Sequence, residues 1–146
     1  MIVISNSSPL IALSRIRKLE ILKRLFGTIY IPEIVYQEVV VQSTDQVQKE
    51  SIVQGLDDFI FVEQPTTEYV FTRSIDAGER GVLNLAYDKP AALLLIDDRK
   101  ARNEAKEHGF RVVKTSTLLK RAEQLHLIHS YLEMMQELRL LQIYLP

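Results

Sequence analysis

Residues 91–99 read Ala-Ala-Leu-Leu-Leu-Ile-Asp-Asp-Arg, and this stretch governs the interpretation of the whole chain. An unbroken apolar run of this length predicts a strand that is covered on both faces, as strands of parallel sheets are. Ligand crevices of open α/β sheets lie beyond the carboxyl ends of the strands, so Asp97 and Asp98 stand where a site is expected. The alternative is that the two acids only cap the following helix, where negative charge is favourable.

The composition is typical of one ordinary domain. The chain has 146 residues, of which 47% are hydrophobic and 25% charged, and its formal net charge is −1. A second domain is not needed, and the charge gives no support to a strongly basic nucleic-acid-binding module. Because the chain has no Cys, oxygen or imidazole would have to hold any metal. We see no secretory signal and no apolar run of about 18 residues, so we expect a cytoplasmic protein that does not enter a membrane.

Strand patterns alternate with helix patterns along the chain, which predicts an α/β fold. Strands are predicted over residues 2–5, 28–31, 59–62, 91–96 and 110–113. Helices are predicted from Ser8 (as N-cap) and Pro9, over 19–26, over 33–41, from Asp76, over 99–108, after an N-cap among the hydroxyl residues 115–117, and within 131–144. Residues 42–55 are polar and weakly periodic, which favours a loosely packed helix or a mobile arm. In the last helix, an apolar stripe through Leu132, Met135, Leu138 and Leu141 is expected to pack on the sheet or on a partner chain.

Two glutamates are expected to face inward. Helical spacing places Glu38 on the face of Ile34 and Val35, and a buried acid is costly unless it is paired or bound to a cation. Glu79 leans inward by the same spacing, but with Asp76 it also has the pattern of a capping box, so a structural role explains it equally well.

These acids and Asn6, at the end of the first strand, could converge in one crevice. Clustered carboxylates raise one another's pKa, and such a cluster persists mainly where a divalent cation neutralises it. Oxygen ligands favour Mg²⁺ or Mn²⁺, and these ions can activate water and stabilise the charge that develops in phosphodiester cleavage.

Five stretches follow one another in a specific order: Val3–Leu13, Ile31–Val39, Gly78–Arg80 with Leu85 and Ala86, Leu95–Arg102, and Gly109–Val113. In this order, over nearly the whole chain, the sequence resembles the PIN-domain family, and within it a branch of short prokaryotic predicted nucleic-acid-binding proteins. The resemblance implies a three-layer α/β/α sandwich with a central, mainly parallel sheet. It also implies a ribonuclease that uses Mg²⁺ or Mn²⁺ to cleave single-stranded RNA, often as the toxin of a toxin–antitoxin pair.

The resemblance assigns roles to particular positions. Its catalytic residues are Glu38, Glu79, Asp97 and Asp98, and its metal ligands are Asn6, Glu38, Asp97 and Asp98, with Asp98 preferred as the direct ligand at the central strand. Candidates for substrate contact are Ser7, Arg99, Arg102 and Thr115. A cognate antitoxin is expected as a partner, and the apolar tail makes a homodimer the expected assembly.

One departure from the family pattern bears on activity. Asn6 stands where the family has an Asp, and an amide offers a carbonyl oxygen without a negative charge. We therefore expect weaker Mg²⁺ binding, and the alternative function is a catalytically impaired module that binds RNA or a protein. A receiver-like phosphoacceptor, suggested by Lys114 at a strand end, would need two acids where Asn6 and Ser7 stand.

Overall fold

The computed structural model describes residues 1–90 and 92–146, so the predicted strand position of Ala91 lies outside the described residues. Within these residues, five strands form one parallel sheet: β1 Val3–Ser5, β2 Ile29–Pro32, β3 Ile60–Glu63, β4 Leu93–Leu95 and β5 Arg111–Val113. The helices are α1 Ser7–Arg15, α2 Glu20–Phe26, α3 Glu33–Tyr36 with a π-helical turn Gln37–Val41, α4 Gln46–Leu56, α5 Ala77–Asp88, α6 Arg99–Glu107, α7 Thr115–Gln124 and α8 Tyr131–Leu140. This is the three-layer α/β/α sandwich that the sequence predicted.

The strand order β3-β2-β1-β4-β5 reverses direction between β1 and β4. Since parallel crossovers are right-handed, the connections on either side of this point place their helices on opposite faces of the sheet. Ser5 pairs with Leu95 at the carboxyl ends of these strands, and the N–H of Asn6 donates to the Leu95 carbonyl at 3.0 Å. The polar residues that follow β1 and β4 therefore meet at the topological switch point, where ligands of such sheets bind.

The central strands are covered on both faces, as the apolar run predicted. Val3 and Ile4 of β1 and Leu94 and Leu95 of β4 have no exposed surface. The sheet interior is therefore filled by aliphatic side chains, and the polar chemistry is confined to the ends of the strands.

The first helix begins earlier than predicted. Asn6, in extended conformation, is the N-cap residue of α1, so Ser8 does not cap the helix and is exposed. Pro9 is the third residue of the helix and not, as predicted, the first. Proline is tolerated there because backbone N–H groups in the first turn have no partner within the helix. As a consequence, Ser7 is turned into the protein beside Asn6.

The helix predicted within residues 42–55 is present as α4, but the predicted loose packing or mobility is wrong. Asp45 caps α4 by accepting the N–H of Gln48 at 2.8 Å. The buried amide of Gln48 donates to the Val39 carbonyl at 2.8 Å, and Ile52 is completely buried. The polar composition of this segment misled the prediction because Gln48, although polar, is buried and forms an internal hydrogen bond.

The C-terminal helix matches its predicted stripe only in part. Leu138 is fully buried, whereas 69% of Leu132 is exposed. No helix of the described residues combines the length and the apolar character needed to cross a membrane.

Candidate metal centre

Asn6 and Glu38 meet against the start of α5. A Cβ built at Gly78 would clash with Oε1 of Glu38 and would lie 3.1 Å from Oδ1 of Asn6. The absence of a side chain at Gly78 lets the helix backbone approach these two oxygens closely. The end of β1, the segment after β2 and the start of α5 thus share one crevice.

Glu38 lies in the π-helical turn that continues α3. The N–H of Gln42 donates to the carbonyl of Gln37 at 2.8 Å, and such wide turns are frequent at functional sites. The carboxylate of Glu38 is half-buried and accepts the Ser7 hydroxyl at 3.2 Å. Burial raises the pKa of Glu38, the Ser7 hydrogen bond opposes this, and the charge of Asp76 adds to the rise. The predicted inward orientation of Glu38 is confirmed.

Glu79 forms the capping box that its spacing with Asp76 predicted. The Glu79 N–H donates to Asp76 at 2.8 Å, and the Asp76 N–H donates to Oε1 of Glu79 at 2.9 Å. The pKa of Glu79 is nevertheless raised, first by burial and then by the charges of Asp76, Asp98 and Glu38, against the hydrogen bond from Asp76. Capping therefore does not remove Glu79 from the acidic crevice.

Asp98 caps α6, as the structural alternative proposed. Its Oδ2 accepts the Ala101 N–H at 2.9 Å, and the residue is exposed. Its charge still reaches Glu79 and raises the pKa of that carboxyl. Asp98 therefore contributes both to the helix end and to the electrostatics of the crevice.

Asp97 has a different environment from the other acids. Its two oxygens accept the N–H and the hydroxyl of Thr115, each at 2.8 Å, so that β4 is fastened to the first residue of α7. Burial raises its pKa, whereas the Thr115 hydrogen bonds and the charges of Arg102 and Lys114 lower it. The charges that act on Asp97 are the cations of α6 and of the end of β5, whereas those that act on Glu38 and Glu79 are other acids.

This arrangement corrects two predictions about the hydroxyl residues 115–117. None of them is the N-cap residue of α7, which is Lys114, because the carboxylate of Asp97 binds the helix end from outside. Thr115 has no exposed surface and its hydroxyl donates to Asp97, so the expected substrate contact of Thr115 is wrong.

The other predicted substrate residues lie around the crevice. The Ser7 hydroxyl is already donated to Glu38. Arg99 is exposed at the start of α6, and the buried Nε of Arg102 has no hydrogen-bond partner in the described part of the chain. Asp76 was not predicted as a site residue. Its capping-box spacing with Glu79, itself a predicted site residue, was the sequence signal that could have indicated it.

The donor atoms suit a hard divalent cation. In the described residues, each of Glu38, Glu79 and Asp98 has one carboxylate oxygen in a hydrogen bond and a second without one, whereas both oxygens of Asp97 are engaged. Oxygen donors of this kind suit Mg²⁺ or Mn²⁺. No three Asp, Glu or His side chains among residues 1–90 and 92–146 already stand in an arrangement that would hold an ion. Ligation therefore requires these side chains to draw together.

Fold and crevice together define the class of protein: a doubly wound three-layer α/β/α domain with an acidic crevice at its topological switch point. The chain belongs to the PIN-domain family, a superfamily of nucleases, because the family model described as a PIN domain matches residues 2–146. PIN domains generally depend on divalent metal.

A solved structure supports the fold independently. A PilT N-terminus domain protein from the hyperthermophilic archaeon Sulfolobus solfataricus P2 superposes with a TM-score of 0.65 at 20% sequence identity. The match covers 84% of this chain and 93% of that chain. None of the curated proteins compared with this chain matches it significantly.

Proposed function

We propose that this protein is an endoribonuclease that cleaves single-stranded RNA with Mg²⁺ or Mn²⁺. The observation that supports this most is the electrostatic convergence on Glu79, whose pKa is raised by burial and by the charges of Asp76, Asp98 and Glu38. Three separate segments of the chain thus bring like charges together beside the end of β1. A divalent cation removes the cost of this repulsion.

Four residues would hold the cation: Glu38, Glu79 and Asp98 through their free oxygens, and Asn6 through its carbonyl. When bound, the ion supplies a more acidic water molecule and offsets negative charge on the phosphodiester. Ser7 orients Glu38 by its hydrogen bond, and Asp97 with Thr115 fixes the end of β4. A direct catalytic or ligand role of Asp97 stays a prediction.

The cationic residues of α6 suit an anionic substrate. Arg99 is exposed beside Asp98, and Arg102 keeps a buried Nε without a partner in the described residues. A guanidinium binds phosphate oxygens with well-directed hydrogen bonds. We propose that these two arginines contact the RNA backbone.

The second candidate function is a catalytically impaired PIN-like module that binds RNA or a protein. Asn6 favours it because the amide removes one negative charge from the crevice. The capping bonds of Glu79 and Asp98 also favour it, since they hold one oxygen of each acid away from an ion.

The biological setting extends the proposal by analogy with the family. We propose a cytoplasmic toxin that acts with a cognate antitoxin. The exposed apolar residues at the end of the chain, Leu132, Leu140 and Leu141, support a homodimer.

The experiment is RNA cleavage by purified protein with Mn²⁺, with Mg²⁺ or with EDTA. Wild type should cleave single-stranded RNA only with metal, and Asp98→Ala should be slower by about 100-fold or more, since removal of one charge-stabilising group commonly costs this much. Glu137→Ala, which removes an exposed acid on α8, is the matched control and should retain full activity. RNA binding without cleavage under every metal condition would instead establish the impaired module.

A further inference from the structure

A cavity of about 410 Å³ adjoins the acidic crevice along α5. The segment 64–69 forms one wall and α5 the other, where Arg80, Gly81 and Asn84 line it. Its volume lies within the range of sites that bind small organic groups. The cavity is therefore large enough to hold part of a substrate.

The cavity and the crevice share the junction between α3 and α5. Gly78 packs against Glu38 in the crevice, and one helical turn further Gly81 packs against Ile34, where a Cβ would come within 2.8 Å of Cγ2. One turn of helix advances about 5.4 Å. A single-stranded RNA that enters the acidic crevice would therefore pass close to the cavity.

The aromatic ring of Tyr69 forms one side of the cavity and is held in place from behind. Its backbone N–H donates to Oδ1 of Asn84 at 2.9 Å, and Thr66 is bound twice to Asp88. The ring packs on Tyr87 with centroids 4.2 Å apart, and Tyr87 meets the edge of Phe110 at 4.9 Å. Tyr69 remains 44% exposed, so part of this aromatic cluster is accessible to a ligand.

Polar groups stand beside this surface. Asn84 is only 6% exposed, and its amide nitrogen has no hydrogen-bond partner in the described residues although its oxygen is engaged. Arg80 uses one N–H for the Ile75 carbonyl at 2.7 Å and keeps its other donors. Glu68 adds an acceptor to the lining. An aromatic plane, an amide donor and a cation are the groups that bind an unpaired nucleotide.

We propose that this cavity binds one unpaired nucleobase of the RNA strand next to the cleaved bond. The base stacks on Tyr69, its edge meets the amide of Asn84, and the neighbouring phosphate meets Arg80. The inference rests on the proposed function, because it takes single-stranded RNA as the substrate. The inference predicts that the protein prefers unpaired RNA, since a base held in a duplex cannot enter the cavity.

The test is a double-mutant cycle in which one change is made in the protein and the other in the RNA. Affinity is measured in Mn²⁺ by fluorescence anisotropy with RNA heptamers whose phosphorothioate linkages resist cleavage, each heptamer carrying a single abasic ribose at a different position. Loss of one stacked base costs about tenfold in affinity. One abasic position should weaken wild type by about this factor and have no further effect on Tyr69→Ala.

Matched variants separate stacking from folding. Tyr69→Phe keeps the ring and should bind like wild type, and Tyr144→Ala removes a 73% exposed tyrosine elsewhere and should also bind like wild type. Independent, multiplying losses from the abasic position and Tyr69→Ala would overturn the inference, as would unchanged affinity of Tyr69→Ala. Cleavage of ordinary RNA is followed in parallel. If cleavage persists while either of these two results overturns the nucleobase site, the ribonuclease proposal stands. Wild-type protein that neither binds nor cleaves RNA would reject both proposals.

Discussion

The proposed metal site differs from the family pattern at Asn6. It lies at the end of β1, 5% exposed, and its amide oxygen faces the same backbone turn of α5 as the carboxylate of Glu38. A carboxylate there would bring another negative charge to a crevice in which Glu38 and Glu79 already have raised pKa values, mainly because they are buried. The amide therefore relieves repulsion in the metal-free protein at the expense of cation affinity.

Asn6→Asp should strengthen Mn²⁺ binding by about tenfold, because one more anionic ligand faces the ion. The same variant should be less stable than wild type without metal and should cleave RNA faster with it. Calorimetric titration measures the affinity, and Gln124→Glu, which adds the same charge at an exposed position of α7, is the control. Unchanged Mn²⁺ affinity in Asn6→Asp would show that residue 6 does not face the ion.

Gly78→Ala should weaken Mn²⁺ binding, because the added Cβ would displace the Glu38 carboxylate and press on Oδ1 of Asn6. The free energy of unfolding should change little in urea denaturation, since the Glu38 side chain can move and helix propensity favours alanine by about 1 kcal/mol. Unchanged Mn²⁺ affinity in this variant would mean that these two side chains do not face the ion.

Among the elements, α6 is joined to the segment before α5 by Glu104. This carboxylate is completely buried and accepts hydrogen bonds from the backbone and side chains of Thr72 and Arg73. Burial alone would raise its pKa, but these hydrogen bonds lower it from 4.5 to about 2. The segment that leads into the acidic crevice is thereby fixed to α6.

The sign of this shift predicts a pH dependence. Because the folded-state pKa of Glu104 lies below its unfolded value of 4.5, its contribution to stability is complete above that pH and is lost as the pH falls towards about 2. Glu104→Gln should cost about 3 kcal/mol near neutral pH, and the difference from wild type should narrow below 4.5. Urea denaturation across this range is the measurement. Glu137→Gln, at an exposed acid of α8, is the control, and a difference that stays constant with pH would contradict the assignment.

The elements show which features a sequence can disclose. The apolar run 92–96 predicted a doubly covered central strand because no polar residue interrupts it, and the β4 interior is buried. Helical spacing predicted the inward Glu38, and a local pattern predicted the capping box of Glu79.

The missed features depend on partners that are distant in the sequence. Gln48 is buried because it binds the Val39 carbonyl, and Asp97 is engaged because Thr115, eighteen residues later, donates to both of its oxygens. No local pattern distinguishes such residues from surface amides and free ligands. The engagement of both Asp97 oxygens by Thr115 could therefore not be predicted from two adjacent Asp residues.

For the whole molecule, the acidic crevice couples stability to pH. The folded-state pKa values of Glu38 and Glu79 lie above the ordinary 4.5, chiefly through burial. Protonation of these groups therefore stabilises the folded state fully below 4.5, and this contribution is lost as the pH rises through the raised values. In EDTA, the free energy of unfolding of wild type should fall as the pH rises above 4.5. Glu38→Gln removes one of the titrating groups and should make this fall smaller. A metal-free stability curve that is identical for the two proteins would contradict the shift.

The most direct test of the central claim, that separate segments gather their acids around one divalent cation, is a calorimetric titration of the metal-free protein with Mn²⁺ at neutral pH. We predict that wild type binds Mn²⁺ and that Glu38→Gln and Asp98→Ala, altered on different segments of the chain, each bind it at least about tenfold more weakly. Wild type that does not bind Mn²⁺, or equal affinity in all three proteins, would contradict the account.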